Sequence, residues 1–256
     1  MEQRPIAIHR IGVGDVWQSL RGGVDDFLVQ PTHYVFLCIV YPVMGLVIGV
    51  WTSGGDALPL LFPLVAGFAL LGPMAAVGLY EISRRREEGI VPKLSDAFTV
   101  FRSPALGSVI WIGLLLLALF VGWLFAAQAL YGELFPAARH GSIVDLARDV
   151  LTTPAGWTLL LLGHAIGFLF AVAALAVSLV SLPLVLDRNV GALTAIRTSI
   201  RACWLNKAPV LFWGFLVAAA LILGSAPLFV GLAVVLPILG HGTWRLYRHL
   251  CGTATP

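Results

Sequence analysis

Residues 58–80, LPLLFPLVAGFALLGPMAAVGLY, are followed at 81–105 by EISRRREEGIVPKLSDAFTVFRSPA and at 106–131 by LGSVIWIGLLLLALFVGWLFAAQALY. Two uncharged apolar runs of transmembrane length flank a segment dense in both signs of charge. A hydrocarbon core of ~30 Å needs about 20 apolar residues at ~1.5 Å rise per residue, and each run supplies them. The same alternation extends through the chain. Runs at about 33–51, 58–80, 106–131, 157–186, 208–224 and 226–245 give six candidate spans. The last two are separated by Gly224-Ser225-Ala226-Pro227. A continuous helix over 208–245 would be ~57 Å long, too long for one crossing, so a tight hairpin is expected there.

Composition agrees. The 256 residues are 59% hydrophobic and 11% charged, whereas a soluble domain carries about 25% charged residues. The formal net charge of +3 matters through its placement and does not point to nucleic acid. With the N-terminus inside, Arg4, Arg10, Arg21, Arg84, Arg85, Arg86, Lys93, Arg102, Arg188, Arg197, Arg201, Lys207, Arg245 and Arg248 all fall on the cytoplasmic side. Only Arg139 and Arg148 of the sixteen basic residues fall outside. The positive-inside bias therefore predicts six spans with both termini cytoplasmic. Trp51, Tyr131 and Trp157 at outer ends, and Tyr80, Trp244 and Tyr247 at inner ends, match aromatic belts. The first thirty residues hold no apolar run, so the first span is expected to direct insertion without a cleaved leader. The three cysteines, Cys38, Cys203 and Cys251, lie toward the cytoplasmic side without CxxC spacing.

An internal threefold pattern organises the chain. Val16, Trp17, Leu20, Val24, Phe27 and Leu28 form one helical face opposite Asp15, Arg21, Asp25 and Asp26, ahead of Pro31. Leu94, Ala97, Phe98 and Phe101 oppose Lys93, Asp96 and Arg102, ahead of Pro104. Leu193, Ile196, Ile200, Cys203 and Trp204 oppose Arg197 and Arg201, ahead of Pro209. Apolar recurrence at i, i+3/i+4 and i+7 predicts helices with one greasy stripe, each ended or turned by its proline. The expected fold is all-α: a polytopic membrane protein of six transmembrane helices as three hairpins, each preceded by a cytoplasmic amphipathic helix. One integral membrane domain then covers 1–256, with an N-terminal segment at 1–32, the bundle at 33–245 and a tail at 246–256. Three unrelated juxtamembrane helices would give the same periodicity.

Gly-Gly-Val-Asp-Asp-Phe at 22–27, Gly-Leu-Tyr-Glu-Ile-Ser-Arg-Arg-Arg-Glu-Glu-Gly at 78–89 and Asp-Ala-Phe at 96–98 carry a resemblance. The chain resembles, from about 13 to 250, a family of bacterial six-span proteins known only as predicted integral membrane proteins of unknown function. That resemblance implies the bacterial inner membrane and supplies no catalytic residues. Some members carry the label of cytochrome oxidase subunit one. The membrane anchor of certain glycerophosphodiester phosphodiesterases is more distantly similar, without their catalytic portion. The oxidase label can be tested against the sequence. A haem–copper centre needs several histidines deep in helices. His9, His33, His140, His241 and His249 sit at ends or in loops, and only His164 lies well within a span, roughly 12 Å along from Gly156. The catalytic-oxidase reading fails, while an accessory place beside such an enzyme stays open.

Candidate sites are few. His164 is the one ionisable side chain well inside a span, which makes it a functional candidate as a ligand or proton relay. The plainer alternative is a neutral histidine bonded across the helix contact that Gly163 and Gly167 permit. Gly45 and Gly49 form a second small-residue packing pair in the first span. Arg84, Arg85 and Arg86 serve topology or attract anionic headgroups at ~1 kcal/mol each, an attraction weakened by Glu87 and Glu88. Ser142 to Asp145 begins an expected short outer helix, with Ile143, Leu146, Ala147 and Val150 on one face. It is the main outer element on which a partner would dock. His140, Asp145 and Asp149 are poorly spaced for a metal. No hydrolase, zincin, phosphate-loop or dinucleotide motif is present. No cofactor is implied, and the partners expected are the bilayer and other membrane proteins. Two classes follow: a non-catalytic accessory, scaffold or assembly factor, or a transporter or channel for a lipid-like or weakly polar solute. The second draws on prolines within spans at Pro42, Pro63, Pro73, Pro183 and Pro237.

Overall fold

The computed structural model describes residues 6–29, 45, 58–136, 143–227 and 231–252. The expected first span, with Cys38, Pro42 and Gly49, lies outside these residues, apart from Gly45, which is helical. So do His33 and His140. The described elements are all helical. They are α1 (Val13–Val29), α2 (Leu61–Glu87), a 3₁₀ helix (Leu94–Arg102), α3 (Leu106–Leu134), α4 (Ile143–Thr152), α5 (Pro154–Ser178), α6 (Ser181–Arg188), α7 (Ala192–Leu205), α8 (Lys207–Ser225) and α9 (Leu232–Cys251).

Among the described residues, four stretches are long and apolar enough to cross a membrane: Phe62–Glu87, Leu106–Leu134, Pro154–Arg188 and Lys207–Ser225. They coincide with the expected second to fifth spans. The expected sixth does not qualify. Its helix, α9, runs on to Cys251, and its second half carries His241, Thr243, Arg245, Arg248 and His249. Only the part before Gly240 resembles lipid-facing sequence. Gly231 lies backbone to backbone with Gly224, where a Cβ would stand 2.7 Å from the Gly224 carbonyl.

The 35-residue stretch Pro154–Arg188 breaks into α5 and α6. Pro183 explains the break, because its ring clashes with the carbonyl four residues back, at Leu179. The Val180 N–H donates to Ser199 Oγ of α7 at 3.1 Å, so the interruption leaves that donor satisfied. At the start of α5, Thr153 Oγ1 accepts from Gly156 N at 3.0 Å and Pro154 takes a first-turn place where no N–H is needed. The expected outer helix is α4, although Ser142 lies outside the described residues.

The three elements with greasy periodicity are present, and each divides its apolar stripe between the bundle and the outside. In α1 the buried stripe is Val16, Ser19, Gly22, Gly23, Asp26 and Phe27, while Trp17 and Leu28 are exposed. At 94–102 the helix is 3₁₀, so Ala97 and Val100 share its inner edge, and Phe98 and Phe101 stack together on the outside. In α7 the buried set is Ala195, Ser199, Ala202 and Cys203, whereas Leu193, Ile200 and Trp204 face outward. Backbone proximity decides this. Small residues let each element approach the bundle closely, and the bulky side chains are left on the far side.

Candidate functional site

The polar groups of the bundle collect at one end, where α1, the last turns of α2, the 3₁₀ helix, α6 and α9 meet. α1 packs along α9 more extensively than on any other element. A Cβ on Gly23 would collide with the Ile238 carbonyl, and one on Gly242 would stand 2.8 Å from the Trp213 ring. Glycine at these positions brings the two helices within backbone contact and delivers Asp26 to Arg245.

Asp26 is buried and accepts two bonds from Arg245, from Nε at 2.8 Å and Nη2 at 2.7 Å. Arg86 Nη1 lies 2.8 Å from the same carboxylate. Glu81, also buried, accepts from Arg84 Nη2 at 2.8 Å and from Arg85 Nε at 2.8 Å. Arg85 reaches on to Asp96 at 3.2 Å, fastening the 3₁₀ helix to α2. Arg84 also pairs with Glu88 at 2.6 Å. On the α9 side, Asp187 accepts from the Tyr247 hydroxyl at 2.6 Å, and Arg248 bridges Asp187 and Glu87 at 3.4 and 3.2 Å. Ser83 Oγ and His241 Nδ1 are 2.6 Å apart and enclosed, joining α2 to α9.

Six guanidinium groups thus face six carboxylates among the described residues. A buried carboxylate is tolerated when paired and hydrogen-bonded, and Asp26 and Glu81 each hold two cations. The lattice is close to electroneutral and acts as a clamp. Burial pushes the Cys203 thiol up to about 12 and the Cys251 thiol up to about 11. The Tyr247 phenol is raised as well, first by burial and then by the neighbouring Asp187 carboxylate.

The ends of the described chain meet here too. His9 N–H donates to the Leu250 carbonyl at 2.8 Å, and Asn206 Oδ1 accepts from Ile11 N–H at 2.9 Å.

The residues singled out in the sequence fall in separate places. Arg84, Arg85 and Arg86 belong to the lattice, each retaining about a quarter to a third of its side-chain exposure. His164 sits on the exposed face of α5, its Nδ1 2.7 Å from the Leu160 carbonyl one turn back, beside Phe62. Gly167 packs against Trp123 of α3, where a Cβ would be 3.1 Å from the ring, and Gly163 lies near Leu130. Asp26, Glu81, Asp187 and Arg245, which are not among the candidates the sequence offers, carry the lattice. Asp26 and Glu81 lie within the segments that carry the family resemblance, whereas Asp187 and Arg245 do not. The segments 22–27, 78–89 and 96–98 converge in space through Asp26–Arg86 and Arg85–Asp96, and Gly78 lies against Ala97.

Residues 61–187 match the model of a family described as Predicted integral membrane protein (DUF2189). The DUF2189 match runs from the start of α2 almost to the end of α6 and so includes Glu81 to Arg86, Asp96 and Asp187. Asp26, Arg245 and Arg248 close the lattice from outside the DUF2189 stretch. No curated protein and no solved structure matches the chain.

Proposed function

We propose that the protein is a six-span inner-membrane scaffold or accessory factor with both termini in the cytoplasm. The reading is supported by one observation above the rest: the ionisable groups gathered at the charged end bind one another, and the apolar belt is filled by side chains. Ile112 and Leu116 are fully enclosed and Trp123 nearly so, with Trp123 Nε1 donating to the Pro63 carbonyl at 2.9 Å. The meeting of His9 with Leu250 favours an even number of crossings. Six then follow if 33–51 and 226–245 each cross, which makes three hairpins. The outward Trp17, Leu28, Phe98, Phe101, Leu193 and Trp204 suit an interface between headgroups and acyl chains. Lys207 Nζ lies 3.6 Å from the Trp204 ring centre, as expected of a cation at headgroup level. The charged end is then cytoplasmic, and α4 is the outer element to which a partner would dock.

The competing class, a transporter for a lipid-like or weakly polar solute, draws on the span prolines Pro42, Pro63, Pro73, Pro183 and Pro237 and would have its vestibule near His164. Ser199 closes the break beside Pro183, and His164 has a partner on its own helix. Purification in mild detergent tests the choice. Stoichiometric recovery of one defined membrane protein, lost when the outer face of α4 is changed at Val144 and Leu151, supports the scaffold. Solute uptake by the protein alone in proteoliposomes contradicts it.

A further inference from the structure

A groove of about 700 Å³ opens between α1 and α9, lined by Gly14, Trp17, Gln18, Arg21, Gly22, Asp25 and Arg245. Its volume lies within the ~300–1,000 Å³ of small-ligand sites. We infer that this groove binds the headgroup of a zwitterionic phospholipid bearing a primary ammonium, with phosphate against Arg21 and Arg245 and ammonium against Asp25 and Trp17.

Four features carry this assignment. The first is charge. Arg21 and Asp25 stand four residues apart on α1, adjacent on one helical face at roughly 6 Å, comparable with the span of a phosphoethanolamine. A singly anionic headgroup would satisfy the arginines and leave Asp25 facing more negative charge. The second is preorganisation. Arg245 Nε and Nη2 are committed to Asp26, which fixes the guanidinium plane and leaves Nη1 for a phosphate oxygen. The third is the floor. Gly22 has no Cβ, and one would stand 2.5 Å from the Arg245 side chain, so only glycine lets that arginine lie across the helix. The fourth is depth. Trp17 is half-exposed at the groove and meets Phe212 edge to face at 5.7 Å. Phe212 is the sixth residue of the α8 span, which sets Trp17 at the boundary where indoles gather. An ammonium over that ring gains a cation–π contact.

The inference rests on the reading that the charged end lies at the cytoplasmic surface of the bilayer. The test keeps the two apart. Purified full-length protein is examined by native mass spectrometry in detergent with palmitoyl-oleoyl phosphatidylethanolamine or palmitoyl-oleoyl phosphatidylglycerol, and with inorganic phosphate and free phosphoethanolamine. We expect the ethanolamine lipid to bind at least fivefold more tightly than the glycerol lipid. Arg21→Gln should lower that binding at least fivefold, and Asp25→Asn should abolish the preference. Arg21 is exposed and not among the ion-paired residues described, so its variant should melt as the parent does. Equal binding of the two lipids, unchanged binding in Arg21→Gln, or equally tight binding of inorganic phosphate would overturn the site. Orientation is read separately, by an impermeant maleimide on Gln18→Cys in intact cells and inverted vesicles. Labelling from the periplasm would overturn the topology and leave the binding result standing.

Discussion

The apolar belt and the charged end of this bundle are built on opposite terms. In the belt, rings fit against glycines: Trp123 against Gly67 and Gly167, and Phe170 against Gly122. Lipid is as apolar as these side chains, so close packing rather than water exclusion holds the helices together there. At the charged end, water or headgroups compete, and paired charges are enclosed by backbone contact at Gly23. The belt should tolerate change by repacking. The charged end should fail abruptly, because losing an arginine strips a counter-charge from enclosed Asp26 or Glu81, and losing either carboxylate leaves two guanidinium groups side by side.

The largest effect is expected at Asp26. Asp26→Ala leaves Arg86 and Arg245 facing each other, and removing one side of a buried pair costs ~3–5 kcal/mol. Both arginines are a third or more exposed, so about 2–3 kcal/mol is expected here, read as a lowered midpoint of unfolding in mixed micelles. Gly23→Ala comes next, at about 1–3 kcal/mol, because its methyl meets backbone that cannot rotate away. In the belt, Gly167→Ala should cost less, on the order of 1 kcal/mol, since the Trp123 ring needs to yield only a few tenths of an ångström. A penalty at Gly167 equal to that at Gly23 would erase the contrast.

The smallest structural disturbance, yet a sharp kinetic reading, is thiol alkylation. Burial raises Cys203 to about 12, so at pH 8 its thiolate fraction should be on the order of a thousandfold below that of an ordinary exposed thiol. Raising the pH one unit should speed its labelling about tenfold without a plateau near pH 9. Mass spectrometry of maleimide-treated protein follows this directly, and rapid labelling at pH 7 would show α7 undocked.

Much of the architecture was legible in the sequence, because hydrocarbon imposes its length and polarity on any chain that crosses it. The spans at 58–80, 106–131, 157–186 and 208–224, the short helix after Ser142 and the three elements at 13–29, 94–102 and 192–205 follow from that constraint. Facing did not follow. The apolar stripes do not say which residues pack on the bundle: Ser19, Gly22, Ala195 and Ser199 take the inner face because contact distance selects for small size, while Trp17, Leu28, Phe101 and Trp204 stay exposed. The lattice was hidden for another reason. Asp26 and Arg245 are separated by 219 positions, and one sequence carries no record of which distant charges meet. Arg84 to Arg86 were visible as a cluster, but their partners Glu81, Asp96 and Asp26 were not. His241 was placed near a helix end, where enclosure could not be seen.

The account depends on Asp26 and Arg245 acting as a coupled pair that holds α1 to α9. A double-mutant cycle with Asp26→Asn, Arg245→Gln and the combined variant measures that coupling by reversible unfolding in mixed micelles. The account predicts a double variant less destabilised than the sum of the singles, with about 1–2 kcal/mol of coupling after allowing for Arg86. Strictly additive losses, or single variants indistinguishable from the parent, would contradict it.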